Sequence, residues 1–294
     1  MPPPHLRILA PHPGIFAYYD GRVPGYRFDA RENWVDDGAL SLGVASFALV
    51  AGDAALVYDT GTTLAHGQAI QAHLTGLGVR RLRVILSHWH KDHVAGTAAF
   101  GAVEVIANTR TAAHLAAHRT KIEAGLDWPP INPLILPSQT YDGRLTLTLG
   151  SRRIDLIAMN IHSDDATVLW LPEEGVLLAG DTLEDPLTYL AEPDSLADHL
   201  TDLARLAALG ARHILPCHGD PAVIASGGYG PGLIAATQRY VRFLLALRDH
   251  PDRRAMPLEE ALGPDLAAGH LHWFAPYRRV HLSNVAQLVG PDAG

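Results

Sequence analysis

Three imidazoles and a carboxylate fall within six residues in the run His88-Trp89-His90-Lys91-Asp92-His93. Neutral imidazole and ionised carboxylate are ligands of zinc, and suit iron and manganese as well. In an extended segment, side chains at i and i+2 share a face, so His88 and His90 can reach one ion from the end of a strand. A turn after His90 would swing Asp92 and His93 towards a neighbouring point. The competing reading is a polar loop in a chain that carries 17 histidines. Three His and one Asp at ligand spacing argue against it.

Four residues cannot fill two metal positions, and three more candidates stand where apolar runs end. His162 follows Ile157-Ala158-Met159. Asp181 follows Val176-Leu177-Leu178-Ala179 and Gly180. His218 follows His213-Ile214-Leu215-Pro216. Taken singly, each has an ordinary explanation: a loop histidine, or an Asp after Gly that forms a turn. Their joint placement at strand exits, where scaffold elements gather functional residues, favours a shared site with the six-residue run.

The elements that would position these residues are readable from periodicity. Residues 44–58 form a hairpin around Gly52-Asp53, closed by Asp59-Thr60-Gly61. Residues 66–78 read as a helix, with Ile70, Leu74 and Leu77 on one face and Gly78 as a stop. Val84-Ile85-Leu86 is a buried strand ending just before His88. A strand at 103–107 and a helix at 109–124 follow. The proline-rich stretch 125–143 reads as loop. Hairpins at 144–158 and 166–179, a helix at 195–209, a strand at 213–216 and a mainly helical remainder from 230 complete the chain. Two halves of similar grammar meet near residue 140, which predicts an α+β fold of two mixed sheets covered by helices.

The chain is read as one domain over 1–294. Residues 1–40 are an N-terminal arm or lid rich in Pro, Gly and aromatics (Phe16, Tyr18, Tyr19, Tyr26, Phe28, Trp34), and 225–294 a helical C-terminal extension. The net charge of -8 speaks against a nucleic-acid partner. No apolar run approaches the roughly 18 residues of a membrane span. The first residues lack the apolar core of a signal peptide, and the single cysteine, Cys217, allows no intrachain disulfide. The expectation is a cytoplasmic protein with a small-molecule substrate and an assembly state, monomer or homo-oligomer, left open.

His88-Trp-His-Lys-Asp-His93 resembles the HxHxDH signature of the metallo-β-lactamase superfamily. Ala179-Gly180-Asp181-Thr182 is similar to its strand-end Gly-Asp, Asp59-Thr60-Gly61 to its early Asp-x-Gly, and Leu215-Pro216-Cys217-His218-Gly219 to its Pro-Gly-His-Gly, with Cys217 where Gly is usual. The matches run in order from about residue 44 to 220. The resemblance implies a four-layer αββα sandwich with two divalent metal ions at the edge of the sheets: zinc first, iron or manganese as other fits. It implies His88, His90 and His162 at the first ion, Asp92, His93 and His218 at the second, Asp181 bridging, and Asp59 steadying a ligand imidazole. A water between the ions would be hydroxide near neutral pH, with Asp92 able to orient it or take its proton on. The β-lactamases of the superfamily usually carry Cys or Ser at the Asp181 position and are exported. The nuclease branch has a long insertion that the span from His162 to His218 cannot hold. The reading is therefore a dinuclear hydrolase of a small ester or lactone, with a thioester or β-lactam as further substrates to test. Tyr189 is the candidate contact for the carbonyl oxygen. The alternative is a mononuclear iron, persulfide dioxygenase-like oxidoreductase, whose relatives keep only part of the ligand set. His114, His118 and His250, in helical stretches away from the strand ends, are expected bystanders.

Overall fold

Alternation in Phe47-Ala48-Leu49-Val50 predicts a strand with two different faces. A computed structural model describes residues 2–289. In it β3 (Val44–Ala51) and β4 (Ala54–Tyr58) pair antiparallel across Gly52-Asp53. Phe47 and Leu49 enter the core between the two sheets, while Ala48 and Val50 face the outer helices. The next strand, β5 (Arg81–Ile85), runs parallel to β4 and so needs a crossover. Helix α1 (Leu64–Gly76) provides it, started by Thr63, whose side chain accepts from the His66 amide. Short α2 (Lys91–Val94) follows β5. Strand β6 (Glu104–Asn108) leads into α3 (Thr109–Ala124), capped by Asn108 and ended by left-handed Gly125.

Two expectations are corrected here. The first half of the segment read as an arm or lid is sheet: β1 (Arg7–His12) and β2 (Ile15–Asp20) pair with each other, and β2 with β3. Tyr18 and Tyr19 are fully buried on its two faces. The apolar run Ile15-Phe16-Ala17-Tyr18-Tyr19 has no polar alternation because both faces of the strand are covered. Within the proline-rich stretch, β7 (Gln139–Tyr141) adds a last strand parallel to β6. Among the described residues the first sheet runs β1 to β7 in sequence order.

The second sheet holds β8 (Arg144–Leu149), β9 (Arg152–Ala158), β10 (Thr167–Leu171), β11 (Val176–Gly180) and β12 (His213–Pro216), ordered β12-β11-β10-β9-β8. The halves thus divide between β7 and β8, as read near residue 140. Helix α4 (Leu196–Ala207) makes the crossover from β11 to parallel β12, burying Leu196, Leu203 and Leu206. Helices α5 (Pro221–Ala225), α6 (Gly232–Ala246), α7 (Leu258–Ala261), α8 (Gly263–Ala267) and α9 (Tyr277–Val289) make up the C-terminal part. One cluster joins both inner sheet faces with α4 and α6, and another joins the outer face of the first sheet with α1 and α3. The layers are helix, sheet, sheet, helix. No helix of the described residues is long and apolar enough to cross a membrane.

Candidate metal centre

The proposed ligands and the supporting Asp59 leave the strands at one edge of both sheets: Asp59 after β4, the His88–His93 run after β5, His162 after β9, Asp181 after β11 and His218 after β12. Two exits are strained. Asp59 and His162 sit at φ of 65° and 70°, a region that costs a residue with a Cβ about 1–3 kcal/mol and persists where the surroundings impose it. Gly180, at φ 56°, is forced: a Cβ there would lie 2.8 Å from the Tyr58 hydroxyl oxygen. Glycine before Asp181 lets the chain pass Tyr58 and turn its carboxylate into the site.

The side chains fall into two groups, each with its donor atoms within 4.8 Å of one another. His88, His90 and His162 form the first, with His90 Nδ1 3.0 Å from His162 Nε2. Asp92, His93, Asp181 and His218 form the second; His218 Nε2 lies 3.4 Å from both Asp92 Oδ2 and Asp181 Oδ2. Asp181 Oδ2 stands between the groups, 3.1 Å from His93 Nε2, 3.4 Å from His218 Nε2, 3.7 Å from His88 Nε2 and 3.8 Å from His162 Nε2.

The far side of four of the rings is fixed. His162 Nδ1 donates to the Tyr189 carbonyl at 2.8 Å and His218 Nδ1 to the Gly43 carbonyl at 2.6 Å. His93 Nδ1 bonds Asp59 Oδ2 at 2.9 Å, and His88 Nδ1 bonds Ser87 Oγ at 2.9 Å. A ring nitrogen facing a carbonyl carries the hydrogen, so in the neutral ring the opposite nitrogen turns a lone pair into the site. Asp59 is itself held, Oδ1 accepting the Ser87 amide at 2.7 Å and Oδ2 the Cys217 thiol at 3.5 Å. Cys217 thus stands behind His93, its thiol kept protonated by burial.

These residues fit metal ions on their own chemistry. His88 Nε2 and Asp181 Oδ1 are buried and have no hydrogen-bond partner, a costly state for a buried polar atom that a ligand would relieve. Burial, reinforced by neighbouring imidazoles, holds His88 well below its ordinary pKa and takes His90 to about 3. Both are neutral lone-pair donors. Burial also pulls on His93 and His218, yet the surrounding carboxylates, Asp181 foremost, hold both well above the ordinary value. Their protons balance the negative charge that a dication would otherwise neutralise.

A cleft of about 590 Å³ opens over the centre. Trp34, Leu42, Trp89, Ile122, Tyr189 and Val280 give it an apolar wall. Tyr189 lines the cleft, its hydroxyl accepting from Gln287 Nε2 at 3.2 Å. Of the early aromatics, Trp34 reaches the cleft and Phe28 lines a smaller neighbouring pocket, whereas Phe16, Tyr18 and Tyr19 belong to the sheet. Lys91 sits over the Trp34 ring and 3.2 Å from Asp127. His118, expected to be a bystander, lines the cleft, stacked on Trp89 with ring centroids 4.5 Å apart. His114 is tied to Asp164 at 2.8 Å, and His250 lies in a turn, not a helix. Sequence reasoning missed Glu184. Its carboxyl lines the cleft, 3.8 Å from His162 Nδ1, with burial pushing its pKa up to about 8. The sequence offers only an acidic residue three places after Asp181; the burial of every neighbour from Thr182 to Thr188, which marks Glu184 out, shows only in the fold.

A family model described as the metallo-beta-lactamase superfamily matches residues 41–218. A beta-lactamase-like protein 2 homolog of Caenorhabditis elegans is 25% identical over 179 residues, 60% of this chain, and the match spans only 56% of that relative's length. Among solved structures, a metallo-beta-lactamase from Pontibacter korlensis superposes with a TM-score of 0.62 at 17% identity, covering 81% of this chain and 99% of that one. DIM-1 metallo-beta-lactamase gives 0.60 at 18% identity, over 82% of this chain and 98% of its own. At these identities the structures speak for the fold.

Proposed function

Since this chain belongs to the metallo-beta-lactamase superfamily, we propose that it is a dinuclear metallohydrolase acting on a small ester or lactone. The observation that carries the reading is Asp181, whose Oδ2 lies within 3.8 Å of one nitrogen from each of His88, His93, His162 and His218. One carboxylate serving both groups is what a pair of ions would need. His88, His90 and His162 would hold the first ion, and Asp92, His93 and His218 the second, with zinc the first choice for this donor set. Two bound ions would acidify a water and polarise the carbonyl of the substrate.

The chain's own groups do the rest. Asp92, part-exposed at the cleft, accepts a proton or orients the attacking water. Tyr189 lies at the rim, where its hydroxyl can donate to a carbonyl oxygen. Trp34, Trp89 and Val280 exclude water from the apolar part of the substrate. Asp181, in place of Cys or Ser, supports an ester or lactone over a β-lactam. The complete set Asp92, His93 and His218 supports hydrolysis over a single-iron oxygenase.

The test is metal analysis of protein purified without added metal, followed by a screen of esters, lactones, thioesters, β-lactams and phosphodiesters. Two ions per chain and fastest turnover of an ester or lactone are expected. A single iron with oxygen uptake on a persulfide, and no hydrolysis, would overturn the reading.

A further inference from the structure

Helix α9 lies outside residues 41–218, the segment matched to the family, yet it reaches the centre. One side of it, at Arg279, Val280 and Ser283, lines the cleft together with the preceding Pro276. An adjoining side, at Tyr277, Asn284 and Gln287, meets the loop 184–191. Positions seven and three apart share a helix face, so these three side chains act on the loop together.

The loop is held from behind at three points. The Tyr277 hydroxyl donates to Glu184 Oε2 at 2.9 Å. Asn284, fully buried, accepts the Leu190 amide at 3.0 Å and donates to the Thr188 carbonyl at 3.1 Å. Gln287 Nε2 donates to the Tyr189 hydroxyl at 3.2 Å. In front, the same loop holds His162: the Tyr189 carbonyl takes its Nδ1–H at 2.8 Å, and the Ala191 amide donates to its carbonyl at 3.1 Å. Glu184 links back to front, its Oε1 accepting the Tyr189 amide at 2.8 Å. His162 is one of the residues in the left-handed region, and such a residue keeps its conformation only when its surroundings over-determine it.

We infer that α9 is a positioning element for the first metal site: Tyr277 and Asn284, through the loop 184–191, fix the imidazole of His162. The inference rests on the reading of His162 as a ligand. Neither residue lines the cleft, and loss of their bonds frees the Tyr189 carbonyl and, with it, the ring of His162.

The experiment measures zinc retention against a chromogenic chelator, and separately the thermal unfolding of metal-free protein. Tyr277→Phe removes one oxygen, and Asn284→Ala removes both loop contacts. Leu282→Ala, on the exposed side of the same helix, is the control. Tyr277→Phe should hold the first zinc up to about 10-fold more weakly, the lower end of the range for direct partners of metal-bound histidines, while its metal-free form unfolds with the control. Asn284→Ala should do so more strongly; if it fails to fold, Tyr277→Phe still decides. Unchanged zinc retention overturns the inference. So does a loss of zinc matched by an equal loss of metal-free stability, since α9 would then act through general packing. His162→Ala separates this from the functional reading. If that variant keeps both ions, the ligand assignment itself fails; if it loses one while Tyr277→Phe behaves as wild type, only the role of α9 fails.

Discussion

Asp181 and His218 meet within a few ångströms although they stand 37 positions apart in the chain, and most of the other proposed ligands lie further off still. Removing a ligand leaves its partners buried with charges or lone pairs unmatched. His88→Ala and His218→Ala should each abolish turnover and lower the metal content, checked by elemental analysis beside the ester assay; full activity in the His218 variant would show the second ion placed wrongly. Tyr189→Phe should lower kcat by roughly 10- to 1000-fold, the span around single oxyanion donors, at unchanged metal content. An unchanged kcat would leave Tyr189 a structural partner of Gln287. His118→Ala, at the cleft wall, is expected to raise KM with no loss of metal. The clustering of the proposed ligands was legible because each stands near the end of an apolar run, visible in one dimension. Glu184 and His118 were not, since what places them on the cleft is burial by α9 and stacking on Trp89, contacts between segments far apart in the chain.

Of the elements, the hairpins and the crossover helices were legible from alternation, turn residues and caps. Strands β2 and β7 were not: one is covered on both faces and so does not alternate, and the other is three residues long and is defined by pairing with β6. The remainder of the N-terminal segment is organised by one buried carboxylate. Asp36 accepts the Phe28 amide at 2.7 Å and Asn33 Nδ2 at 2.6 Å, with Arg27 Nε at 3.4 Å. Residues of this segment, Trp34 among them, then form one wall of the cleft. Asp36→Ala leaves those donors unmatched, at about 1–3 kcal/mol for each one that stays buried. Faster proteolysis within residues 22–34 and a raised KM are expected, at unchanged metal content. Equal proteolysis of variant and wild type would mean that the wall stands without Asp36.

At the scale of the whole molecule, the α+β order and the division near residue 140 were legible, while the sheet order was not, because parallel neighbours such as β11 and β12 are joined only through a helix. The packing of these layers has a pH signature. His66 and His199 are buried with neither ring nitrogen bonded, and desolvation holds each at about 4 against an ordinary value of 6.5. Between those values the unfolded chain binds more protons than the folded one, so stability falls as the pH drops from about 6.5 towards 4. The effect is on the order of 3 kcal/mol per histidine when complete, from about 1.4 kcal/mol per unit of pKa. His93 and His218, held above their ordinary value, contribute in the opposite sense, so urea unfolding of metal-free wild type and His199→Leu at pH 7 and pH 5 reads the effect as a difference. On going to pH 5 His199→Leu should lose less stability, or gain more, than wild type; a slope equal to that of wild type would mean that His199 titrates normally in the fold.

The placement of α9 also bears on how the protein is made. A ribosome delivers the ligand run His88–His93 first and α9 after every other part of the site, at about 5–20 residues per second. For on the order of ten seconds or more, all the ligands after His93 are still being added, and the clamp behind His162 does not yet exist. Metal taken up in that interval would meet a looser set of donors, open to whichever ion is most abundant. Nascent chains arrested short of Tyr277 should therefore discriminate poorly between zinc and other divalent ions, and released full-length chains should discriminate well. Equal selectivity in the two would place the decision in the His88–His93 run alone.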